Sequence, residues 1–168
     1  MLYYFNKYKY NNHMSLFAEL QTPENTIFIS RSDPNDPLSG FSEYPFDLDG
    51  SQWLTVEHYF QAMKYTDPWK REKIRQVVTA KIAKKLGRSK KYKIRNDWSE
   101  IKQTIMTRAT YIKFKTYDDL SKILLNTAPK KIIENNQYDY YWGCGRDRRG
   151  FNYYGKILMA VRDKISNE

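Results

Sequence analysis

Cysteine and histidine are scarce in this chain of 168 residues, which has one cysteine and two histidines. A single cysteine, Cys144, excludes an internal disulfide and is typical of a reducing compartment. His13 and His58 are far apart in the sequence, and one cysteine does not complete a common structural zinc site. We therefore expect a protein without a disulfide framework and without a bound metal.

Long apolar runs and cofactor fingerprints are also missing. No run approaches the roughly 20 apolar residues that a membrane-spanning helix needs. The first residues, Met1–Lys7, lack the apolar segment of a secretory signal. Neither a Walker-type phosphate loop nor a Gly-x-Gly-x-x-Gly turn occurs, so we expect no bound cofactor. These absences predict a cytoplasmic protein with no membrane partner.

Positive charge and aromatic rings are abundant. The formal net charge is +10, and aromatic residues make up 16% of the chain. Eight basic residues and no acid lie between Lys81 and Arg95. Such a run attracts phosphates and steers anionic partners. A solvated basic loop is the alternative interpretation, so the run alone does not indicate a nucleic-acid-binding protein.

The hydrophobic pattern predicts an α+β fold, a single mainly helical domain with a small β-hairpin and short strands. Thr26–Ser30 has the short β-branched pattern of a buried strand. Asp49-Gly50, between apolar-rich runs, predicts a hairpin over Tyr44–Leu54. Further elements are expected as follows: helices over 68–77, from 79 to about 87, after 97, around 120–125 and over 155–162, and a strand over 131–134. We expect residues 26–168 to form the domain and residues 1–25 an N-terminal extension.

The stretch Thr55–Tyr65 carries the most informative side chains. As a helix capped by Thr55, it places Glu57, Gln61 and Lys64 on one face at i, i+4 and i+7. A carboxylate and an amine on a largely apolar helix need partners, or their pKa values move toward the neutral forms. A solvated Glu57–Lys64 pair is the simpler alternative. His58 points away from this face and is expected to be a packed histidine.

Several blocks of the sequence resemble the NADAR family, which includes the YbiA-like proteins. The blocks are F-x-x-D-G at 46–50, T-V-E-H-Y-F-Q-A-x-K at 55–64, A-K-K-L-G-R at 83–88, D-x-x-W-G-x-G at 139–145 and G-x-N-x-x-G at 150–155. The resemblance covers about 27–162. Gly40 stands where the family usually has Asn, and Tyr154 where it more often has Leu. Glycine-rich aromatic loops also occur as plain turns, so the last two blocks are informative only together with the others.

The resemblance implies hydrolysis of the bond between ribose C1 and a nitrogen in phosphorylated ribosides. It would make Glu57 the acid/base group and Lys64 a nucleophile that forms a Schiff base, or else an electrostatic stabiliser. Asp139, the third catalytic candidate, would hold ribose hydroxyls. Trp98 and Trp142 would sandwich a base, and Arg31 and Arg88 would meet phosphate. The substrate-binding candidates are Arg31, Gln61, Arg88, Trp98, Trp142, Gly143 and Asn152.

Three functions stay open at this point. The first is a hydrolase that removes ADP-ribose from guanine bases of DNA or RNA, which the basic run favours. The second is an N-glycosidase for ribosylamino-pyrimidine phosphates, intermediates of riboflavin synthesis, which needs no basic groove. The third is a non-catalytic ADP-ribose-binding module. The presence of both Glu57 and Lys64 favours the enzymes, because a binding module does not need an amine beside an acid.

Overall fold

This computed structural model describes residues 23–168. Within this range the chain forms six α-helices and four short strands, which are joined by loops. The extension predicted over residues 1–25 lies outside this part, apart from one 3₁₀ turn at Pro23–Asn25. In chain order the elements are β1 (Thr26–Ile29), β2 (Phe46–Leu48), β3 (Ser51–Trp53), α1 (Val56–Ala62), α2 (Pro68–Arg75), α3 (Ala80–Gly87), α4 (Trp98–Thr116), α5 (Asp118–Leu125), β4 (Lys131–Glu134) and α6 (Tyr153–Ser166).

The strands form two separate pairs. β1 and β4 run parallel, with Ile29 opposite Glu134 at their carboxyl ends. β2 and β3 form the predicted antiparallel hairpin, and its turn residues Asp49 and Gly50 both have positive φ, as a tight primed turn requires. The parallel pair matters most for function, because the carboxyl ends of parallel strands meet at the same edge.

Helix α1 lies at the centre of the domain, and all seven of its residues are buried. It begins where the sequence predicts, since the Thr55 hydroxyl accepts a hydrogen bond from the His58 amide at 3.3 Å. It ends earlier than predicted, at Ala62, so Lys64 follows the helix. Beyond the helix, the Lys64 carbonyl accepts a bond from the Arg95 amide at 2.9 Å.

Close contact between α1 and α3 depends on Gly87, the last residue of α3. A Cβ atom at this position would overlap the side-chain amide of Gln61. The absent side chain brings the Gly87 carbonyl within hydrogen-bonding distance of both Lys64 and Tyr65, each at 3.2 Å. Glycine at this position therefore determines where the end of α3 sits relative to α1.

Lys113 of α4 holds the loop that precedes the hairpin. Its ammonium, in a side chain that is 1% exposed, donates to the carbonyls of Pro37 and Ser39 and to the hydroxyl of Ser42 at 2.7–2.8 Å. The carbonyl of Gly40, in the same loop, accepts a bond from the Glu57 amide at 2.9 Å. Through this loop, α4 positions the first turn of α1.

The predicted mainly helical α+β fold is confirmed, and two more helices differ in length from the prediction. Helix α2 stops at Arg75, two residues before the predicted end, and α6 extends over Tyr153–Ser166 rather than 155–162. The first turn of α6 packs against β4 and the last turn continues on the surface, which the periodicity of 155–162 alone did not indicate. Among residues 23–168, no helix combines the length and apolarity needed to span a bilayer.

We expect Lys113→Met to lower the free energy of unfolding by about 3 kcal/mol, because it removes three hydrogen bonds of an ammonium inside the protein. Urea unfolding followed by circular dichroism measures the change. The matched control is Lys122→Met on α5, since that side chain is 73% exposed and should change stability by less than about 0.5 kcal/mol. Equal unfolding midpoints for the two variants would contradict the bracing role of Lys113.

Candidate active site

The parallel strand pair and the first turn of α1 bring three charged side chains together. Arg31 follows β1 by two residues, Glu134 is the last residue of β4, and Glu57 lies in the first turn of α1. The Arg31 amide donates to Glu134 at 3.2 Å, and its guanidinium donates to Glu57 at 2.7 Å. One arginine therefore links two carboxylates from separate elements.

The Arg31–Glu57 pair is buried on both sides, with the side chains 8% and 0% exposed. The second oxygen of Glu57 accepts a bond from the Gln61 amide at 2.6 Å. Both carboxylate oxygens thus act as acceptors, as an ionised carboxylate does. Burial opposes the charge on Arg31, but Glu57 and its acidic neighbours hold the pKa of the guanidinium above its usual value. The alternative of a solvated Glu57–Lys64 pair is wrong, because the Glu57 carboxylate is buried.

Lys64 is half-buried beside this pair. Its amine donates to the Gly87 carbonyl at 3.2 Å and lies 5.7 Å from the centre of the Phe60 ring. Burial lowers the pKa of Lys64 to about 8; Glu57 opposes the shift, and Arg88, Arg31 and Lys84 add to it. A substantial fraction of this amine is therefore neutral and nucleophilic near physiological pH.

Arg31, Glu57 and Lys64 form a charge cluster together with two residues that the sequence reasoning missed, Glu134 and Lys84. Glu134 is 2% exposed, and burial raises the pKa of its carboxyl although it accepts bonds from the amides of Arg31 and Asn136. The pKa of Lys84 is lowered by burial and, to a smaller extent, by the positive charge of Arg31. The position of Glu134 at the end of a β-strand was a usable signal. Lys84 was hidden inside the basic run.

Asp139 shapes the loop that follows β4. One of its oxygens accepts bonds from the amides of Tyr141 and Trp142, at 3.0 and 2.8 Å. The charge of Asp139 contributes to the raised pKa of Arg31, so the carboxylate acts on the same cluster. Asp139 therefore sets the turn that presents Trp142 and adds negative charge near Arg31.

Asn152 and Gly143 hold this loop against β4. The Asn152 side chain accepts a bond from the Glu134 amide and donates one to the Ile132 carbonyl, each at 2.9 Å. Because both ends of the amide are engaged by the backbone, Asn152 positions the strand, which differs from the substrate contact expected from the sequence. A Cβ atom at Gly143 would overlap the carboxylate of Glu134, so glycine is needed there for packing.

The two predicted aromatic residues share one packing partner. The ring of Phe60 lies 5.0 Å from that of Trp98 and 5.4 Å from that of Trp142, measured between centres. The guanidinium of Arg31 lies 5.9 Å from the Trp142 ring. Phe60 thus joins both indoles into one aromatic wall beside Arg31. A base held between the two indoles stays a prediction.

The remaining candidates differ in exposure. Arg88 is exposed at the end of α3 and close enough to Lys64 to lower its pKa. His58 is fully buried, and its ring nitrogens pair with the Thr55 hydroxyl at 2.8 Å and the Val77 carbonyl at 3.0 Å. It is the packed histidine that the sequence predicted. A cavity of about 620 Å³ opens next to Lys84, but neither Glu57 nor Lys64 lines it.

Comparison with known proteins identifies the enzyme class to which this chain is similar. The chain is 38% identical to the N-glycosidase YbiA of Escherichia coli, covering 84% of this chain and 88% of that protein. It matches the NMR structure of E. coli YbiA with a TM-score of 0.77 at 37% identity, over 85% of this chain and 86% of the other. It is 37% identical to the chloroplastic riboflavin biosynthesis protein PYRR of Zea mays, over 76% of this chain but 23% of that protein.

These relatives confirm the predicted enzyme class, a hydrolase acting on N-glycosyl bonds. The NADAR domain model matches residues 27–166. The chain belongs to the NADAR family.

The lowered pKa of Lys64 can be tested without any substrate. Acetylation of the folded protein at increasing pH, followed by peptide mass spectrometry, should give a midpoint near pH 8 for Lys64. Glu57→Gln should lower that midpoint further, because Glu57 is the group that raises this pKa. Lys122, on the exposed face of α5, is the control and is followed in the same samples. A midpoint for Lys64 equal to that of Lys122 would contradict the assignment.

Proposed function

We propose that this NADAR-family enzyme removes ADP-ribose from guanine bases of nucleic acid, with Lys64 and Glu57 at the reacting centre. The observation that carries this proposal is the position of the basic run around Lys64. The carbonyl of Gly87 accepts a bond from the Lys64 amine, and the amide of Arg95 donates to the Lys64 carbonyl. The segment 87–95 therefore begins and ends at the proposed nucleophile.

The exposure of the basic side chains supports a polyanionic substrate. Two of the eight, Lys84 and Arg95, are half-buried, and the other six are exposed to solvent: Lys81, Lys85, Arg88, Lys90, Lys91 and Lys93. Exposed cations around an active site attract phosphates from solution and bind them in a salt-dependent way. Lys84 and Arg88 are nearest to the charge cluster, and we assign them to the diphosphate of ADP-ribose.

The chemistry follows from the neutral fraction of Lys64. Its amine attacks ribose C1, the bond from C1 to the guanine nitrogen breaks, and the proton released by the attacking amine passes to the departing nitrogen. The ring bond from C1 to O4′ of this adduct then opens, the amine proton passes to O4′, and a Schiff base forms between Lys64 and C1. Water adds to C1 of the Schiff base, which frees ADP-ribose and restores the amine. We assign the proton transfers to Glu57. This role requires Gln61 to release its bond to the carboxylate when substrate binds.

Asp139 and the aromatic wall complete the proposed site. One oxygen of Asp139 is engaged by the backbone amides of the loop, and we assign the other to the ribose hydroxyls. Trp98 and Trp142 offer ring faces to the adenine or guanine base. Gln61 and Arg31 hold Glu57 in place by hydrogen bonds. We assign neither of them a direct contact with the substrate.

A second candidate function rests on the named relatives. PYRR of Zea mays and VVA0006 of Vibrio vulnificus are named riboflavin biosynthesis proteins, the latter 32% identical over 84% of this chain. Hydrolysis of a ribosylamino-pyrimidine phosphate breaks the same type of C1–N bond and would use the same Lys64 and Glu57. The lowered pKa of Lys64 argues against a third possibility, a non-catalytic ADP-ribose-binding module, because binding an anion favours a charged lysine.

Lys64→Ala should lose most turnover while its ligand affinity stays within about tenfold, since other groups hold the diphosphate and the base. Turnover is measured by chromatography of released ADP-ribose and affinity by calorimetry. Borohydride added during turnover should fix ribose onto the peptide that carries Lys64, visible as a mass increase. Lys122→Ala is the matched control. Full activity of Lys64→Ala would exclude both roles of the amine and leave Glu57 and Asp139 to activate water.

Salt dependence should distinguish the two substrate classes. We expect turnover of an oligonucleotide carrying ADP-ribosyl-guanine, and little or none of a ribosylamino-pyrimidine phosphate. In the triple variant Lys90→Ala, Lys91→Ala and Lys93→Ala, the slope of log affinity against log salt for the oligonucleotide should fall by about 2. Turnover of ADP-ribosyl-guanosine, which has no strand, should stay unchanged. Turnover of the pyrimidine compound alone would support the second candidate and overturn the first.

A further inference from the structure

A second cavity, of about 300 Å³, lies on the other face of the β1–β4 pair from the charge cluster. Phe28 and Ile133 are opposite each other in the parallel register and both line this cavity. Their neighbours Ile29 and Glu134 point to the opposite face, because side chains alternate along a strand. The cavity is therefore separate from the charge cluster that contains Glu57 and Glu134.

Aromatic rings exposed to solvent form part of the cavity wall. Phe28 is 42% exposed and Phe151 is 58% exposed. The Phe151 ring stacks on that of Tyr153, with the centres 5.5 Å apart and the planes at 26°. The guanidinium of Arg148 lies 5.6 Å from the Phe28 ring. The cavity wall thus has one exposed ring that is stacked, Phe151, and one that lies beside a cation, Phe28. Exposed aromatic rings and cations receive nucleobases and phosphates in single-strand-binding proteins.

The positive charge at this cavity is not balanced by nearby acids. Lys131, Arg148 and Lys156 line it, and none of the three forms a side-chain hydrogen bond or ion pair with the described residues. Between Arg146 and Lys156 there are four basic residues and one acid. That acid, Asp147, pairs with Arg149 at 3.4 Å and leaves the cations of the cavity free for an anion.

We propose that this cavity binds one base of a single-stranded nucleic acid, with the base on Phe151 and Phe28 and the flanking phosphates on Arg148, Lys131 and Lys156. The volume suits one base, and the cations continue past the cavity along 146–149, which suits a strand better than a single nucleotide. The inference goes beyond the proposed reaction and does not depend on it, since it concerns an unmodified strand.

The cavity is connected to the glycosidic site by one short loop. The Cys144 amide donates to the Glu134 carbonyl at 2.8 Å, and the Phe151 amide donates to the Tyr140 carbonyl at 2.8 Å. These bonds close the loop between Trp142 on one face and Phe151 on the other. A strand held in the cavity would thus lie next to the segment that presents Trp142 and Asp139.

The test uses a labelled, unmodified single-stranded oligonucleotide and fluorescence anisotropy. Phe151→Ala should weaken binding about tenfold through lost stacking on one base. Arg148→Ala should lower the slope of log affinity against log salt by about 0.7, the contribution of one phosphate on a single strand. Lys122→Ala, which removes an exposed cation far from the cavity in sequence, should change neither quantity. The thermal unfolding midpoints of the variants report whether they are folded.

Three results would overturn the proposal. The first is an affinity for the strand that is unchanged in both cavity variants. The second is AMP binding to the wild type as tightly as the oligonucleotide, which would identify a mononucleotide site. The third is loss of turnover on ADP-ribosyl-guanosine in Phe151→Ala, which would make the cavity part of the glycosidic site. If the enzyme turns over no guanine substrate at all, the first two measurements still decide the strand-binding proposal.

Discussion

The buried ion pair between Arg31 and Glu57 is the interaction on which the rest of the site depends. Two charges removed from water lose hydration worth several kcal/mol each, and mutual attraction compensates for this only when further hydrogen bonds complete the geometry. Here Gln61 satisfies the second oxygen of Glu57, and the backbone amide of Arg31 is held by Glu134. The strand pair, the first turn of α1 and the loop after β4 must therefore all be in place before the pair can exist.

The surroundings of the ion pair then determine the state of the amine beside it. Arg31, Lys84 and Arg88 lie close to Lys64 and, together with burial, disfavour its charged form, whereas Glu57 alone opposes them. An excess of cations around a half-buried lysine thus serves two purposes. It makes a fraction of the amine neutral near pH 8, and it makes the surroundings of Lys64 positive, which would suit the diphosphate of the proposed substrate.

The loop over 139–152 connects the two faces of the molecule. Its inner side presents Trp142 and Asp139 to the charge cluster, while its outer side presents Arg148 and Phe151 to solvent. Asn152 braces both by pairing with the backbone of β4 at two points. The strand proposed for the cavity would therefore lie next to the proposed glycosidic centre, because one loop contributes residues to both.

Local signals in the sequence determined the hairpin at Asp49-Gly50 and the start of α1 at its Thr55 cap, because these features are satisfied within a few residues. The family resemblance pointed to Glu57, Lys64 and the loop after β4. Only the tertiary structure decided that Glu57 is buried against Arg31, that Glu134 and Lys84 join the cluster, and that Asn152 is used by β4. The end of α1 at Ala62 was also not indicated by the sequence. Burial, charge partners and helix ends of this kind depend on segments up to 103 residues apart in the chain, as Arg31 and Glu134 are, and no local pattern reports which of these segments will pack together.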